Sequence, residues 1–290
     1  MVRNKYSEEY AGGAIAVANH VAPFIDDVTL FTGIGRNSNG ETYEKFIRKE
    51  LASNITPNFF QFENSQTIVK ERFVDNELRK FFEIYFAKED PQVSKQEELD
   101  MCKWLESNIP KYDIVIVADY GNGFITDLMT KVISDKSKFL AINTQINSGN
   151  RGYHVVNRYD RADFVSLNEP ELRLASHNRF NSIEELTKNL SEKLKTKFIS
   201  ITQGPKGLYT YNANSDSSFR VPALSSKVVD RVGAGDAFLS LSAICLGGGV
   251  EDSVSVFVGA AAAAIDVQII GNRDTVDSVD LEKYFTALLK

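Results

Sequence analysis

The chain has 290 residues, 43% of them hydrophobic and 25% charged, the profile of a folded globular protein rather than a disordered one. Its net charge of -6 argues against a broad nucleic-acid surface, which needs a basic footprint, but leaves room for a local phosphate pocket. The two cysteines, Cys102 and Cys245, form no CxxC pair, so neither a disulfide scaffold nor a structural zinc site is expected.

In chain order, residues 1–10 hold no apolar run, so no signal peptide is visible. Residues 67–74 and 81–86 alternate apolar and charged side chains around a polar link, the pattern of two strands with one covered face. They predict a small β hairpin standing off the main domain as a lid, contributed by about 60–88. In it, Lys70 and Arg72 either face a substrate phosphate or sit as solvated charges on the open face.

From residue 110 onward strand and helix patterns alternate. Residues 113–118 are a continuous apolar run, the mark of a strand buried on both faces, and lead into Asp119 and a Gly-rich loop. Asp119, at a strand end, either approaches substrate and magnesium or forms the turn. A helix over 126–136 and strands at 139–143 and 163–168 follow. A helix at 182–195 is opened by Ser182-Ile183-Glu184-Glu185, and a strand covers 198–202. Residues 207–211 and 218–222 flank a hairpin turn at 212–216. This rhythm predicts an α/β fold of three layers with a mostly parallel central sheet. The apolar stretch 254–270 is short and broken by Asp266, so it reads as a buried helix and no membrane span is expected. With the reduced cysteines, this gives an expected cytoplasmic location. His20, His154 and His177 show no metal-ligand spacing, and the glycines at 247–249 read as a helix C-cap.

The chemistry is concentrated in Gly233-Ala234-Gly235-Asp236, which opens an apolar helix pattern. Small residues there expose backbone N–H groups and the helix dipole adds positive potential, so an anion is welcome. An aspartate in the first turn is placed to take a proton from an attacking hydroxyl while the amides stabilise a transferring phosphoryl group. The same four residues also fit a plain loop entering a packed helix, with Asp236 as a favourable first-turn charge.

The run from Asp230 to Asp236 resembles the carboxy-terminal signature of the ribokinase (PfkB-type) carbohydrate kinases, Asp-Thr-x-Gly-Ala-Gly-Asp, with Arg231 in place of threonine. Three more segments match in order. Asn168-Glu169-Pro170-Glu171 is similar to the Asn-x-x-Glu motif that organises magnesium and phosphates through water. Thr202 to Gly207 is similar to the Thr-x-Gly-x-x-Gly loop beside the nucleotide. Gly12-Gly13 is similar to the amino-terminal pair that contacts the sugar, with Ala16 where the family carries asparagine. The resemblance covers most of the chain, from about Ala11 onward. Within the family it is greatest to the heptose-phosphate kinase domain of bacterial ADP-heptose synthesis, on Tyr10 to Ala14, residues 67–73, Asp119 to Gly123 and residues 271–276. That kinase often carries lysine at the place of Asn122.

The resemblance implies a single ribokinase-like kinase domain over 1–290, using ATP and Mg2+, and K+ where a monovalent cation is bound. Asp236 would be the catalytic base, and Gly233, Ala234 and Gly235 the anion hole. Asn168, Glu171, Thr202, Gly204 and Gly207 would hold the nucleotide, with Glu171 reaching magnesium through water. Gly12, Gly13 and Asn19 would meet the sugar, with Lys70, Arg72 and Asp119 beside them. Backbone oxygens of Asp230 and Val232 would serve K+. Eleven residues precede Gly12, where the family usually has a first strand, so a kinase domain cut from a longer protein, fused to a nucleotidyltransferase, or a short form is expected. The expected reaction is phosphoryl transfer from ATP to a hydroxyl of a sugar or sugar phosphate. A non-catalytic nucleotide or sugar-phosphate binding domain, and a kinase for a nucleoside or vitamin-like acceptor, remain open. Exposed strand edges in the lid would suit a homodimer.

Overall fold

The structure, a computed structural model, describes residues 5–36, 40–62, 65–87, 93–147, 149–150, 152–225, 227–288 and 290. Residues 1–4 of the amino-terminal stretch, and Glu63, Asn64 and Lys88 of the lid range, lie outside the described residues.

The chain opens with α1 (Ala14–Val21), β1 (Val28–Gly35), α2 (Glu44–Glu50) and β2 (Ile55–Phe62). β1 and β2 pair in parallel, Val28 opposite Ile55, joined by a crossover through α2. The sequence reading had assigned no strand here. The hairpin follows as β3 (Val69–Val74) and β4 (Lys80–Phe86), antiparallel, as expected. Asp75 shapes its turn by accepting from the amides of Glu77 and Arg79.

The larger unit alternates helix and strand. It runs α3 (Lys95–Asn108), β5 (Ile114–Asp119), α4 (Asp127–Lys136), β6 (Phe139–Thr144), β7 (Phe164–Asn168), α5 (Glu169–Ala175), α6 (Ile183–Leu194) and β8 (Phe198–Thr202). Then come β9 (Leu208–Asn212), β10 (Ser217–Val221), α7 (Ala234–Gly247), α8 (Asp252–Asp266) and α9 (Ser278–Leu288). The six strands lie in the order β10-β9-β8-β7-β6-β5, with β5 to β8 parallel and the last two antiparallel. Each strand of this sheet falls within a residue or two of its predicted bounds.

Alternation along the strands builds two cores, because successive side chains point to opposite faces. Leu140, Ile142, Val165, Leu167, Ile199 and Ile201 pack under Met101 and Leu105 of α3, Met129 of α4, and Leu186 and Leu190 of α6. Ala141 and Phe164 face the other way, onto Phe238, Leu239 and Ala243 of α7 and Val256 of α8. α7 and α8 approach closely at Gly259, where a Cβ would lie 2.0 Å from Ser242 Oγ. The alanines at 260–264 continue that close contact. The glycines after α7 form its cap, Gly248 at the cap and Gly249 at φ 81°.

One expectation needs refinement. The sheet is mostly parallel, but β1 and β2 form their own pair, hydrogen-bonded to none of the six strands. A cavity of about 2950 Å³ is lined by β1 on one side and β5 on the other, and it extends to the loops at the carboxyl end of β5. Among the described residues no helix is long and apolar enough to cross a membrane.

Candidate active site

The cavity reaches the start of α7. Gly233 is its N-cap in the left-handed region, φ 95°, and a Cβ there would come within 2.8 Å of Asp266 Oδ2. Only glycine takes this turn without strain. The amides of Gly233, Ala234 and Gly235 donate to nothing among the described residues, as the first turn of a helix requires. A Cβ on Gly235 would meet nothing within 4 Å, so space is open beside Gly235, and Gly233 and Gly235 both line the cavity. Unpaired N–H groups beside open space at a helix start are an arrangement that favours an anion.

Asp236 stands in the first turn beside it. Tyr120 Oη donates to its Oδ1 at 2.9 Å, while Oδ2 takes no hydrogen bond from a described residue. Enclosure pushes the Asp236 carboxyl up to about 6, against the downward pull of the Tyr120 hydroxyl and of His20. Asp266 adds a repelling charge and Lys70 an attracting one. His20 and Asp266 form a buried pair beneath the site, Nε2 to Oδ1 at 3.4 Å, with the Val276 amide donating to Nδ1. The sequence reading gave His20 no role. Its partner lies on a distant helix, so no local spacing could have revealed the pair.

On the nucleotide side, Asn168 and Glu171 form a reciprocal capping box at the start of α5. Asn168 Oδ1 accepts from the Glu171 amide, and the Glu171 carboxylate accepts from the amides of Asn168 and Ile146. Burial raises the Glu171 carboxyl to about 7, with the Asp236 charge adding to the rise and those amides opposing it. A cation bound nearby would relieve that penalty, which suits magnesium held through water. Thr202 lines the same cavity as Asn168 and Glu171, whereas Gly204 and Gly207 do not. Gly207 has a structural reason to be glycine. Its φ is 82°, and a Cβ would strike Val221 O at 2.1 Å.

On the acceptor side, Gly12 and Gly13 line the cavity, and so do Lys70 and Arg72. Arg72 is paired with Glu83 at 2.5 Å. Lys70 lies over the Tyr85 ring, 5.0 Å from its centroid, and carries no ion pair among the described residues. Solvent reaches much of Lys70. The protein around it still lowers its pKa, with Glu83 and Asp236 pulling back. Two expectations are corrected. Asn19 is turned away from the cavity. Its Nδ2 donates to Glu50 O at 2.9 Å and its Oδ1 accepts from the Ala52 amide at 3.1 Å, tying α1 to the end of α2. Asp119 borders the cavity but is only 3% exposed and already occupied. It faces His154 Nε2 at 2.7 Å and accepts from Tyr159 Oη at 2.8 Å, Arg158 Nη1 at 3.2 Å and the Gly121 amide at 3.2 Å. Burial alone would raise its carboxyl, but His154, Arg158 and Tyr159 outweigh it and hold Asp119 below the ordinary range. Asn122 accepts from Tyr85 Oη at 3.0 Å, a contact between loop and lid.

The Asp230 carboxylate links two loops, accepting from the amides of Val232 and Gly271. Beside Gly233, Asp266 Oδ2 and Asn272 Oδ1 are buried with no hydrogen-bond partner among the described residues. Two orphaned acceptors at one place suit a monovalent cation. No group of three or more His, Cys, Asp or Glu arranged to hold a metal occurs among the described residues.

The family described as pfkB family carbohydrate kinase matches residues 2–278. The bifunctional protein HldE of Haemophilus influenzae (strain PittEE) is 29% identical over 288 residues, covering 97% of this chain and 57% of that protein. HldE of Histophilus somni (strain 129Pt) is 27% identical over 285 residues, with the same coverage. The chain thus spans little more than half the length of these relatives. Phosphofructokinase-2 from Escherichia coli, solved with substrates and products, superposes with a TM-score of 0.75 at 16% identity, covering 96% of this chain and 88% of that one. Ribokinase from Thermotoga maritima gives 0.71 at 20%, covering 94% and 85%. At such identities these two likenesses establish the ribokinase-like fold.

Proposed function

This chain belongs to the pfkB family of carbohydrate kinases, and from that premise we propose that it transfers the γ-phosphoryl group of ATP to a hydroxyl of a heptose phosphate, with Asp236 as the base. The observation that carries the reading is the pairing of Asp236 with three amides that donate to nothing among the described residues, beside the open space at Gly235, at the start of α7. Asp236 takes the hydroxyl proton on Oδ2 as the new O–P bond forms and the bond to the leaving ADP breaks. The amides of Gly233, Ala234 and Gly235 hold the oxygens of the moving phosphoryl group.

Bound ATP supplies the phosphoryl group, and Mg2+ offsets its charge. Asn168, Glu171 and Thr202 face that part of the cavity. K+ would sit against Asp266 Oδ2 and Asn272 Oδ1 and the backbone of Asp230 and Val232, bracing the Gly233 turn. Heptose phosphate is supported by the 29% identity to HldE and by Lys70, a cation near the proposed base with no ion pair among the described residues. HldE is bifunctional, so the parent protein is proposed to carry a nucleotidyltransferase domain as well. The exposed Phe81 and Phe82 of the lid, 65% and 54% accessible, support a homodimer through that face. The free cysteines fit a reducing cytoplasm.

The test is a coupled assay of ADP release with ATP, Mg2+ and a panel of heptose phosphates, fructose 6-phosphate, ribose and a nucleoside. Turnover dependent on a heptose phosphate is expected. Turnover on the nucleoside alone would refute the acceptor, and tight ATP binding without turnover on any acceptor would refute the reaction.

A further inference from the structure

Tyr120 is the first residue past β5, and its backbone is pinned from both sides. Asp119 before it is held by His154, Arg158 and Tyr159. Gly121 after it, at φ 66°, packs so tightly that a Cβ would lie 2.2 Å from Asn150 Nδ2. The Tyr120 carbonyl accepts from Asn147 Nδ2 at 2.8 Å. With the backbone fixed, the Cα–Cβ direction is fixed, and two contacts select the rotamer. The ring lies against Gly13, where a Cβ would be 3.4 Å from Cε2, and the hydroxyl reaches Asp236 Oδ1 at 2.9 Å.

We propose that Tyr120 is the positioning residue of the catalytic base, holding Asp236 by Oδ1 so that Oδ2 faces the acceptor, with the Asp119 network setting where Tyr120 stands. This rests on the reading of Asp236 as the base. A carboxylate on a helix turn can rotate about its side-chain bonds; a hydrogen bond from a rigid loop restricts that freedom. Burial and the Asp236 charge push the Tyr120 hydroxyl well above its ordinary value, so it remains a donor throughout the working range. The other charged groups that act on Asp236 come from α1 (His20), β3 (Lys70) and α8 (Asp266), and Glu171 of α5 couples to it. None of these donates a hydrogen bond to the carboxylate among the described residues, which sets Tyr120 apart. The tight fit also explains Gly13, whose φ of 64° and contact with the Tyr120 ring both resist a side chain.

The test is Tyr120→Phe, which keeps the ring and removes only the hydroxyl. With ATP and the best acceptor of the panel, kcat should fall about 10-fold while both KM values stay within about twofold. The acid limb of the kcat profile should move up by about one pH unit, since an ionised Asp236 has lost a donor. A merely structural tyrosine would leave that limb in place. Independently of turnover, the carboxyl of Asp236 can be titrated by carbon-13 NMR, with its signal assigned by its loss in Asp236→Asn. It should titrate higher in Tyr120→Phe than in the unaltered protein. An unchanged titration, or an unmoved limb with kcat within twofold, overturns the proposal. If the unaltered protein turns over no acceptor, the base reading fails, while the NMR titration still decides whether Tyr120 holds Asp236.

Discussion

Around Asp236 the protein encloses charge, while in the hairpin of β3 and β4 it leaves apolar surface open. Asp236, Tyr120, the His20–Asp266 pair and the Glu171 capping box are packed between helices and the ends of parallel strands. In the hairpin, Phe73, Phe81, Phe82 and Phe86 are exposed, and its charges pair locally, as Arg72 with Glu83 and Arg79 with Asp75. The first region stores electrostatic cost in two carboxyls raised by burial, as the proposed chemistry would use. The second leaves apolar surface open, which the proposed dimer or acceptor would cover. Substitutions should therefore divide: changes near Asp236 trade stability against turnover, and changes in the hairpin alter association or KM without touching the fold.

The largest effect is expected at Asp236 itself. Asp236→Asn should lower kcat by about three orders of magnitude or more. It should also raise thermal stability at alkaline pH. The folded carboxyl titrates at about 6, above its ordinary 3.8, so its contribution to stability is present below the ordinary value and lost as pH rises through about 6. By calorimetry the variant should gain on the order of 1–2 kcal/mol over the parent at pH 8, and almost nothing at pH 3.5. Equal stabilities at pH 8 would mean that the site does not strain its base.

Next come the two glycines of the turn, which separate fold from function. Gly233→Ala should cost about 2–3 kcal/mol, since it combines positive φ with a clash against Asp266. Gly235→Ala meets open space, so it should fold normally yet lower kcat about 100-fold by filling the cradle. A stable, active Gly235→Ala would move the phosphoryl site elsewhere. In the hairpin, Lys70→Ala should raise the acceptor KM about 10-fold and leave the KM for ATP unchanged. Phe81→Ser with Phe82→Ser should halve the solution mass seen by light scattering while leaving Tm nearly where it was. The smallest effect belongs to Asn19→Ala, about 1 kcal/mol of stability from two lost hydrogen bonds and no change in either KM.

The same division governs what the sequence revealed. The six-stranded sheet was legible because its strands are continuous apolar runs closed by loops, and Gly233 to Asp236 was legible because helix-start chemistry is local. Asn19 was misread. A lone asparagine near a Gly-Gly motif looks free to meet a sugar, but its amide is captured by the backbone of residues 50 and 52, a tertiary contact without local signature. Of the two readings of Asp119 the turn is the one seen, with the Gly121 amide donating to its Oδ1, while its other partners lie on a loop some 35–40 residues further along the chain, which no local pattern shows. Tyr120 and the pair of His20 with Asp266 carry no individual role in the sequence, because each is a single residue whose part depends on what folds against it. The separation of β1 and β2 from the main sheet was hidden too, since strand pairing is a property of the fold and not of either strand.

The most direct test of the account follows the label from γ-phosphate-labelled ATP in a single turnover with a heptose phosphate, for the unaltered protein and for Asp236→Asn. The account predicts label on the sugar with the first and none above background with the second, although both bind ATP. Label appearing on the sugar at comparable rates with both would contradict it.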